Sequence, residues 1–202
     1  MITRILLVLC LLFSSVAHAA PVVMVFGDSL SAAYGLPQES GWVHLLEQRL
    51  AQEKFDYPVV NASISGETTA GGRQRIEQSL AQHHPAIVVL ELGANDGLRG
   101  LSLTAMEDNL EAIIQACRHR GARVLVVGMR LPPNYGIAYA QTFQDTYLQL
   151  AKRHKLGPVP FLLDGFADRR ELFQADNLHP TAQAQPLILE NIWRPLRALL
   201  KH

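Results

Sequence analysis

Short apolar runs alternate along this chain with stretches whose apolar residues recur at helical spacing. Runs that are apolar on both faces predict strands buried on both sides, which is typical of parallel sheets. The five predicted strands span residues 22–26, 57–62, 86–92, 122–128 and 159–163. Because strands and helices alternate, the pattern predicts an α/β fold: an open parallel sheet with helices on both faces.

Helical periodicity fills the intervals between these runs. The apolar faces of four predicted helices contain Trp42, Leu45, Leu46 and Leu50; Ile76 and Leu80; Met106, Leu110, Ile113, Ile114 and Cys117; and Tyr139, Phe143, Tyr147 and Leu150. A capping box that opens with Thr104 predicts where the third helix begins, and Gly121 predicts where it ends. A last helix is predicted from about residue 181, with Pro186 and Pro195 kinking it or confining it to shorter pieces.

The first 19 residues have the pattern of a secretory signal peptide. Arg4 supplies a positive charge, residues 5–13 are unbroken apolar, and Ala17-His18-Ala19 matches a small-x-small cleavage site. The apolar run is shorter than the ~20 residues that span a membrane. We therefore expect cleavage before Ala20 and an exported protein, in the periplasm or secreted, without stable membrane insertion.

Composition bounds the remaining possibilities. The chain has 202 residues, of which 49% are hydrophobic and 18% charged, and this predicts one globular domain over residues 20–202. The formal net charge is zero and no basic stripe is present, which argues against nucleic-acid binding. Cleavage would remove Cys10 and leave Cys117, so no intramolecular disulfide is expected. Nothing in the sequence demands a dimer, and we expect a monomer.

Polar residues follow the predicted strands, where ligand sites of open parallel sheets lie. The first strand leads into Gly27-Asp28-Ser29-Leu30, the second into a loop with Gly66, and the third into Gly93-Ala94-Asn95-Asp96; Asp176-Asn177-Leu178-His179 lies near the C-terminus. Each group alone is ordinary turn, cap or surface chemistry. Together they supply the parts that acyl transfer needs, namely a nucleophile, a base, a residue that orients the base, and oxyanion donors.

In order and spacing these four blocks resemble the SGNH hydrolases, over almost the whole predicted mature chain. Residues 26–35, 130–136 and 176–180 resemble more narrowly the bacterial thioesterase I/lysophospholipase L1 group, which includes arylesterases. The resemblance implies a flavodoxin-like, three-layer αβα sandwich with a five-stranded parallel sheet. It also implies that no metal or organic cofactor is needed.

The resemblance further implies a role for each site residue. Ser29 would be the nucleophile, and His179 the base and then the acid, oriented by Asp176. The N–H of Ser29, the N–H of Gly66 and the side chain of Asn95 would form the oxyanion hole. Asp28 and Asp96 are assigned to hydrogen bonding within their loops.

An acyl substrate needs an apolar groove beside the nucleophile. The candidate walls are Leu30, Leu98, Leu101, Leu131, Pro132, Ile137, Tyr139 and Leu178. By resemblance, residues 97–102 match a mobile loop that closes over acyl chains. The substrates so implied are small-molecule acyl esters and thioesters, including aryl esters, medium and long acyl chains and lysophospholipids. Two alternatives stay open: a carbohydrate O-acetyl esterase, and a non-catalytic binding protein on a flavodoxin-like scaffold.

Overall fold

A four-stranded parallel sheet forms the centre of the protein in a computed structural model that describes residues 20–201. The strands are β1 (Val22–Gly27), β2 (Val59–Asn61), β3 (Pro85–Glu91) and β4 (Arg123–Val126), in the order β2-β1-β3-β4. All three neighbouring pairs are parallel. The predicted α/β class is therefore confirmed, whereas the predicted signal peptide lies outside the described residues.

Helices cover both faces of this sheet. They are α1 (Trp42–Gln52), α2 (Thr69–His83), α3 (Ala94–Leu98), α4 (Leu103–His119), α5 (Ile137–Arg153) and α6 (Gln185–Arg197). The chain moves from β1 outward to β2 and then back past β1 to β3 and β4. Because such crossovers are right-handed, α1 lies on one face and α2 and α4 lie on the other. Helix α6 packs on α1, and α5 packs on α4.

The core follows the apolar faces that the sequence predicts. In α1, Trp42 and Leu46 are fully buried, and in α5 so are Phe143 and Leu150. Cys117 of α4 is fully buried as a free thiol, and burial raises its pKa to about 12. This thiol therefore packs as an apolar group and stays protonated at neutral pH.

The fifth predicted strand, residues 159–163, is not a strand of the sheet. It makes one isolated parallel bridge, between Gly128 and Phe161, and the Gly128 N–H donates to the carbonyl of Pro160 at 2.9 Å. Pro158 and Pro160 have no N–H to donate, which prevents a continuous ladder along this segment. The expectation of five strands is corrected to four, with this segment lying beside the end of β4.

Two helix ends differ in detail from the sequence pattern. Helix α4 is capped by Ser102, whose hydroxyl accepts from the Ala105 N–H at 3.3 Å, and not by Thr104. A serine two residues earlier lets the helix begin earlier and satisfy the same kind of unpaired N–H group. Helix α6 begins after a separate short 3-10 turn (Ala182–Ala184) and carries Pro186 in its first turn, but it continues through Pro195 to Arg197, so Pro195 does not divide it as the sequence predicted.

Candidate active site

Ser29 lies on a tight turn that follows β1. The carbonyl of Asp28 accepts from the N–H of Ala32 at 3.0 Å, which closes the turn. Glycine is required at Gly27, because a Cβ there would lie 2.6 Å from Glu91 Oε2 and 2.9 Å from the Glu91 carbonyl oxygen. Ser29 is half-buried, and its own N–H donates to no acceptor among residues 20–201. The turn thus presents both a hydroxyl and an unpaired N–H.

His179 lies between Ser29 and Asp176. Its Nε2 is 2.9 Å from Ser29 Oγ, and its Nδ1 is 2.7 Å from Asp176 Oδ2. An ionised carboxylate can only accept hydrogen bonds, so the hydrogen of the neutral ring belongs on Nδ1. The remaining nitrogen, Nε2, is then free to accept the Ser29 hydroxyl proton.

The loop around Asp176 holds that carboxylate in place. Its Oδ1 accepts from the N–H groups of Leu178 at 2.9 Å and His179 at 3.0 Å, while Asn177 takes a left-handed conformation with φ of 55°. The backbone N–H of His179, followed by its ring, lowers the Asp176 pKa to about 2. The Gln174 N–H donates to the His179 carbonyl at 2.7 Å and ties the loop to the preceding chain. Asp176 is therefore a carboxylate throughout the neutral range.

Two further polar groups face the same cavity as Ser29. Gly66, with φ of 79°, has an N–H that donates to no acceptor within the described part of the chain. Asn95 lies in the first turn of α3, and its Nδ2 is 3.0 Å from both Asp28 Oδ2 and the Glu67 carbonyl oxygen. Ser29, Gly66 and Asn95 all line one cavity, so the structure brings the three predicted donors together.

Comparison with known proteins places this arrangement in a family. The profile of the GDSL-like lipase/acylhydrolase family matches residues 25–186. The chain belongs to this family. Esterase TesA of Pseudomonas aeruginosa is 50% identical over 182 residues, which are 90% of each chain. The arylesterase of Vibrio mimicus is 41% identical over 202 residues, the full length of both chains.

Solved structures of family members share the fold. The crystal structure of TesA has a TM-score of 0.86 and 49% identity, and the match covers 89% of this chain and 99% of that one. The esterase EstA from Pseudoalteromonas sp., in a structure inhibited by monoethylphosphonate, has a TM-score of 0.84 and 38% identity. That match covers 88% of this chain and 97% of EstA.

Two buried carboxyl groups lie beneath the nucleophile turn of this GDSL-like chain. Asp28 Oδ1 accepts from the Leu30 N–H at 3.0 Å, and burial raises the Asp28 pKa to about 6 against the effect of its hydrogen bonds. Glu91 Oε2 accepts from Ser31 Oγ at 2.7 Å, whereas the buried Oε1 has no partner within the described chain. Burial, followed by the charge of Asp28, raises the Glu91 pKa well above its ordinary value.

The cavity beside Ser29 has a volume of about 850 Å³. Its lining includes five of the apolar residues that the sequence nominates, namely Leu30, Leu98, Leu131, Pro132 and Leu178. Leu101 lies outside this lining and is 42% exposed, and Ile137 is 87% exposed. Tyr139 also lies outside it, and its hydroxyl donates to the Leu101 carbonyl at 3.1 Å. These three residues therefore do not form the cavity wall, and Tyr139 instead bonds to the 97–102 loop.

Several residues at the site escaped the sequence analysis. Met129, Phe161, Leu163 and Phe173 add apolar surface to the cavity, and the Tyr34 ring lies 4.4 Å from the His179 ring. Their apolar character alone does not distinguish them from core residues. Glu91 had a visible signal, because it is the one acidic residue in an otherwise apolar strand.

Asp96 lies in α3, and its hydrogen bonds reach another element and not its own loop. Its carboxylate accepts from the N–H of Thr69 at 2.9 Å and from the Thr69 hydroxyl at 2.6 Å, and so it fixes the start of α2.

Within residues 20–201 there is no group of three or more His, Cys, Asp or Glu side chains placed to hold a metal ion. None of the helices in that range has the length and apolar character needed to cross a membrane.

Proposed function

We propose that this protein is a serine esterase that hydrolyses acyl esters and thioesters through an acyl-enzyme intermediate. The observation that carries the proposal is the continuous set of contacts from Asp176 through His179 to Ser29, at 2.7 Å and 2.9 Å. Asp176 fixes the tautomer of His179, and His179 accepts the Ser29 proton, which a serine must lose to act as a nucleophile near neutral pH. Membership of the GDSL-like family supports the same chemistry.

In the first half-reaction, Ser29 Oγ attacks the acyl carbonyl carbon while its proton moves to His179 Nε2. The tetrahedral intermediate then breaks its bond to the alcohol or thiol, which leaves with the proton from His179. In the second half-reaction, water loses a proton to His179 and attacks the acyl carbon. The second tetrahedral intermediate then breaks its bond to Ser29 Oγ and releases the carboxylic acid, and the proton returns from His179 to Ser29.

The negative oxygen of each intermediate needs hydrogen-bond donors. The free N–H groups of Ser29 and Gly66 and the Asn95 amide are the proposed donors, since all three residues line the cavity. Both hydrogens of Asn95 Nδ2 are already engaged, by Asp28 and by the Glu67 carbonyl. Donation by Asn95 to the oxyanion therefore shares or replaces one of these hydrogen bonds as charge develops.

The cavity supports medium and long acyl chains as the preferred substrates. A volume of about 850 Å³, with a wall that includes five leucines, Pro132 and two phenylalanines, exceeds what an acetyl group fills. The names of the relatives agree with acyl substrates of several kinds, since they include an arylesterase and a thioesterase 1/protease 1/lysophospholipase L1 of Escherichia coli K12 that is 38% identical over 186 residues, 92% of this chain and 88% of that one. We include aryl esters and lysophospholipids in the proposed range.

Export is part of the proposal and rests on the sequence alone. The positive charge, apolar run and cleavage pattern of residues 1–19 support passage across a membrane followed by removal of this segment. The periplasm is the proposed location. N-terminal sequencing of the protein from the periplasmic fraction is expected to begin at Ala20, and an uncleaved N-terminus in the membrane fraction would contradict export.

Turnover of p-nitrophenyl esters from acetyl to palmitoyl tests the proposed activity and substrate preference together. The Ser29→Ala variant is expected to lose kcat by on the order of 10⁴–10⁶, because the nucleophile is absent. Ser79→Ala removes a hydroxyl from α2 and serves as the matched control with unchanged kcat. Substantial activity in folded Ser29→Ala protein would reject the mechanism, and a preference for acetyl would reject the acyl-chain assignment.

A further inference from the structure

The guanidinium of Arg99 joins two of the proposed oxyanion donors. Arg99 follows α3, and its Nη2 donates to the Gly66 carbonyl at 2.9 Å and to Asn95 Oδ1 at 3.3 Å. Gly66 comes from the loop after β2, whereas Asn95 comes from α3, which follows β3. One side chain therefore bridges two segments that the sequence separates by 29 residues and that must keep a fixed spacing around the oxyanion.

These contacts decide which way the Asn95 amide points. A guanidinium has only donors, so the atom that faces Arg99 must be the amide oxygen. The amide nitrogen then faces Asp28 Oδ2 and the Glu67 carbonyl oxygen. The carbonyl oxygen can only accept a hydrogen bond, and so can Asp28 when it is ionised. Removal of Arg99 leaves Oδ1 without this donor and lowers the cost of rotating the amide away from its donating orientation.

Both of these partners are neutral, and Arg99 has no charged partner in the described chain. No carboxylate oxygen lies within ion-pair distance of its guanidinium among residues 20–201. Arg99 is exposed and is not part of the cavity lining, so its contacts reach the cavity through Gly66 and Asn95. Its positive charge lies on the side of the site where negative charge would develop on the substrate.

We propose that Arg99 is a positioning residue for the oxyanion hole, which it organises by holding Gly66 and the Asn95 amide in one fixed arrangement. The proposal rests on the proposed function, because it assigns the oxyanion donors to those two residues. Arg99 is itself a residue of the 97–102 loop, and it precedes Gly100, which has a φ of 65°. The arrangement of the hole is thereby linked to the conformation of that loop.

A double-mutant cycle tests this role. Arg99→Met keeps an unbranched side chain but removes its donors and charge, and it is combined with Asn95→Ala. Arg99→Met alone is expected to lower kcat by roughly 10-fold with little change in KM, which is less than the ~10²–10³ of losing a donor outright. In the Asn95→Ala background the same change is expected to have a smaller effect, because residues that act through one another are not additive.

Arg120→Met is the matched control, since Arg120 is an exposed arginine that pairs with Glu77 away from the cavity. It is expected to leave kcat and KM unchanged, and the thermal midpoints of both arginine variants are expected to match the wild type. Equal losses of kcat in the two backgrounds, a change confined to KM, or no loss at all would overturn the role of Arg99. Failure of the proposed function itself would be seen separately, because the Ser29→Ala variant would then keep the esterase activity of the wild type.

Discussion

At the scale of single residues, burial divides the carboxyl groups of the site into two kinds. Asp176 is exposed and receives hydrogen bonds from His179 and Leu178, so its pKa falls to about 2. Asp28 and Glu91 are buried, and their pKa values rise, that of Asp28 to about 6. One carboxylate can therefore orient the imidazole at neutral pH, while burial makes the two carboxyl groups beneath the turn easier to protonate than exposed ones.

The raised pKa of Glu91 makes a prediction about stability and pH. A carboxyl group whose pKa is higher in the folded state stabilises that state below its unfolded pKa, and this stability is lost as pH rises through the folded pKa. Glu91→Gln cannot ionise. Its free energy of unfolding, relative to wild type, is therefore expected to increase between pH 5 and pH 8, by up to ~1.4 kcal/mol per pH unit while wild-type Glu91 stays protonated.

Urea unfolding at pH 5 and pH 8 measures this difference. Any cost of placing the Gln amide at the unpartnered Oε1 position is the same at both pH values and cancels. Glu39→Gln changes an exposed glutamate and is expected to show the same difference from wild type at both pH values. A difference for Glu91→Gln that does not change with pH would mean that Glu91 ionises as easily in the folded as in the unfolded protein.

At the scale of elements, the start of α4 depends on one hydroxyl. Ser102→Ala is expected to lower the free energy of unfolding by ~1 kcal/mol, because the Ala105 N–H loses its acceptor. Thr104→Ala lies inside the helix and is expected to change stability by less than about 0.5 kcal/mol. The pair of variants measured by urea unfolding distinguishes the two caps. A larger loss for Thr104→Ala would restore the capping box that the sequence favours.

The elements that the sequence predicts well are those whose pattern is determined locally. Strands β1, β3 and β4 and the helical faces follow from apolar spacing, because burial in the core requires that spacing. Strand β2 spans only Val59–Asn61 of the predicted 57–62 run, and it is half-buried to exposed. The fifth strand could not be judged in this way, since whether residues 159–163 form a ladder depends on donors that Pro158 and Pro160 lack. The sequence favours Thr104 as the cap of α4 because Glu107 follows it by three residues, and only the hydrogen bond from the Ala105 N–H identifies Ser102 instead.

The same contrast holds for the site. Ser29, Gly66 and Asn95 follow the ends of strands, where parallel sheets bring loops together, so their convergence was predictable. Arg99 was not, because its importance depends on a contact with Gly66, 33 residues earlier in the chain. Glu91 carries a signal in the sequence, as the one acidic residue of an otherwise apolar strand, but its full burial and its contact with Ser31 are known only from the fold.

At the scale of the whole molecule, the strand order places the cavity. From β1 the chain passes first to β2 on one side and later to β3 on the other side, so the strand order reverses at β1. The ends of β1 and β3 place Ser29 and Asn95 in the crevice at this switch point. The loops after β4 and before α6 add Leu131, Phe173 and His179 to the same cavity. The apolar wall and the polar site therefore share loops, since Leu30 adjoins Ser29 and Leu178 adjoins His179.

Filling this cavity is expected to change substrate preference. Leu131→Trp adds bulk to the wall and is expected to lower kcat/KM for the palmitoyl ester by ~10–100-fold relative to the acetyl ester, because the larger side chain occupies volume that the long acyl chain needs. Leu148→Trp alters an exposed position on α5 and serves as the control. An unchanged ratio of palmitoyl to acetyl activity would mean that the acyl chain binds elsewhere.

The central claim is that Ser29 is an activated nucleophile, and covalent labelling tests it most directly. The purified protein is treated with a fluorophosphonate, and the modified peptide is identified by mass spectrometry beside Ser29→Ala and Ser79→Ala. We predict a single label on Ser29, absent from Ser29→Ala and retained by Ser79→Ala. Folded wild-type protein that takes no label, or takes it at another residue, would contradict the account and favour a binding protein on the same scaffold.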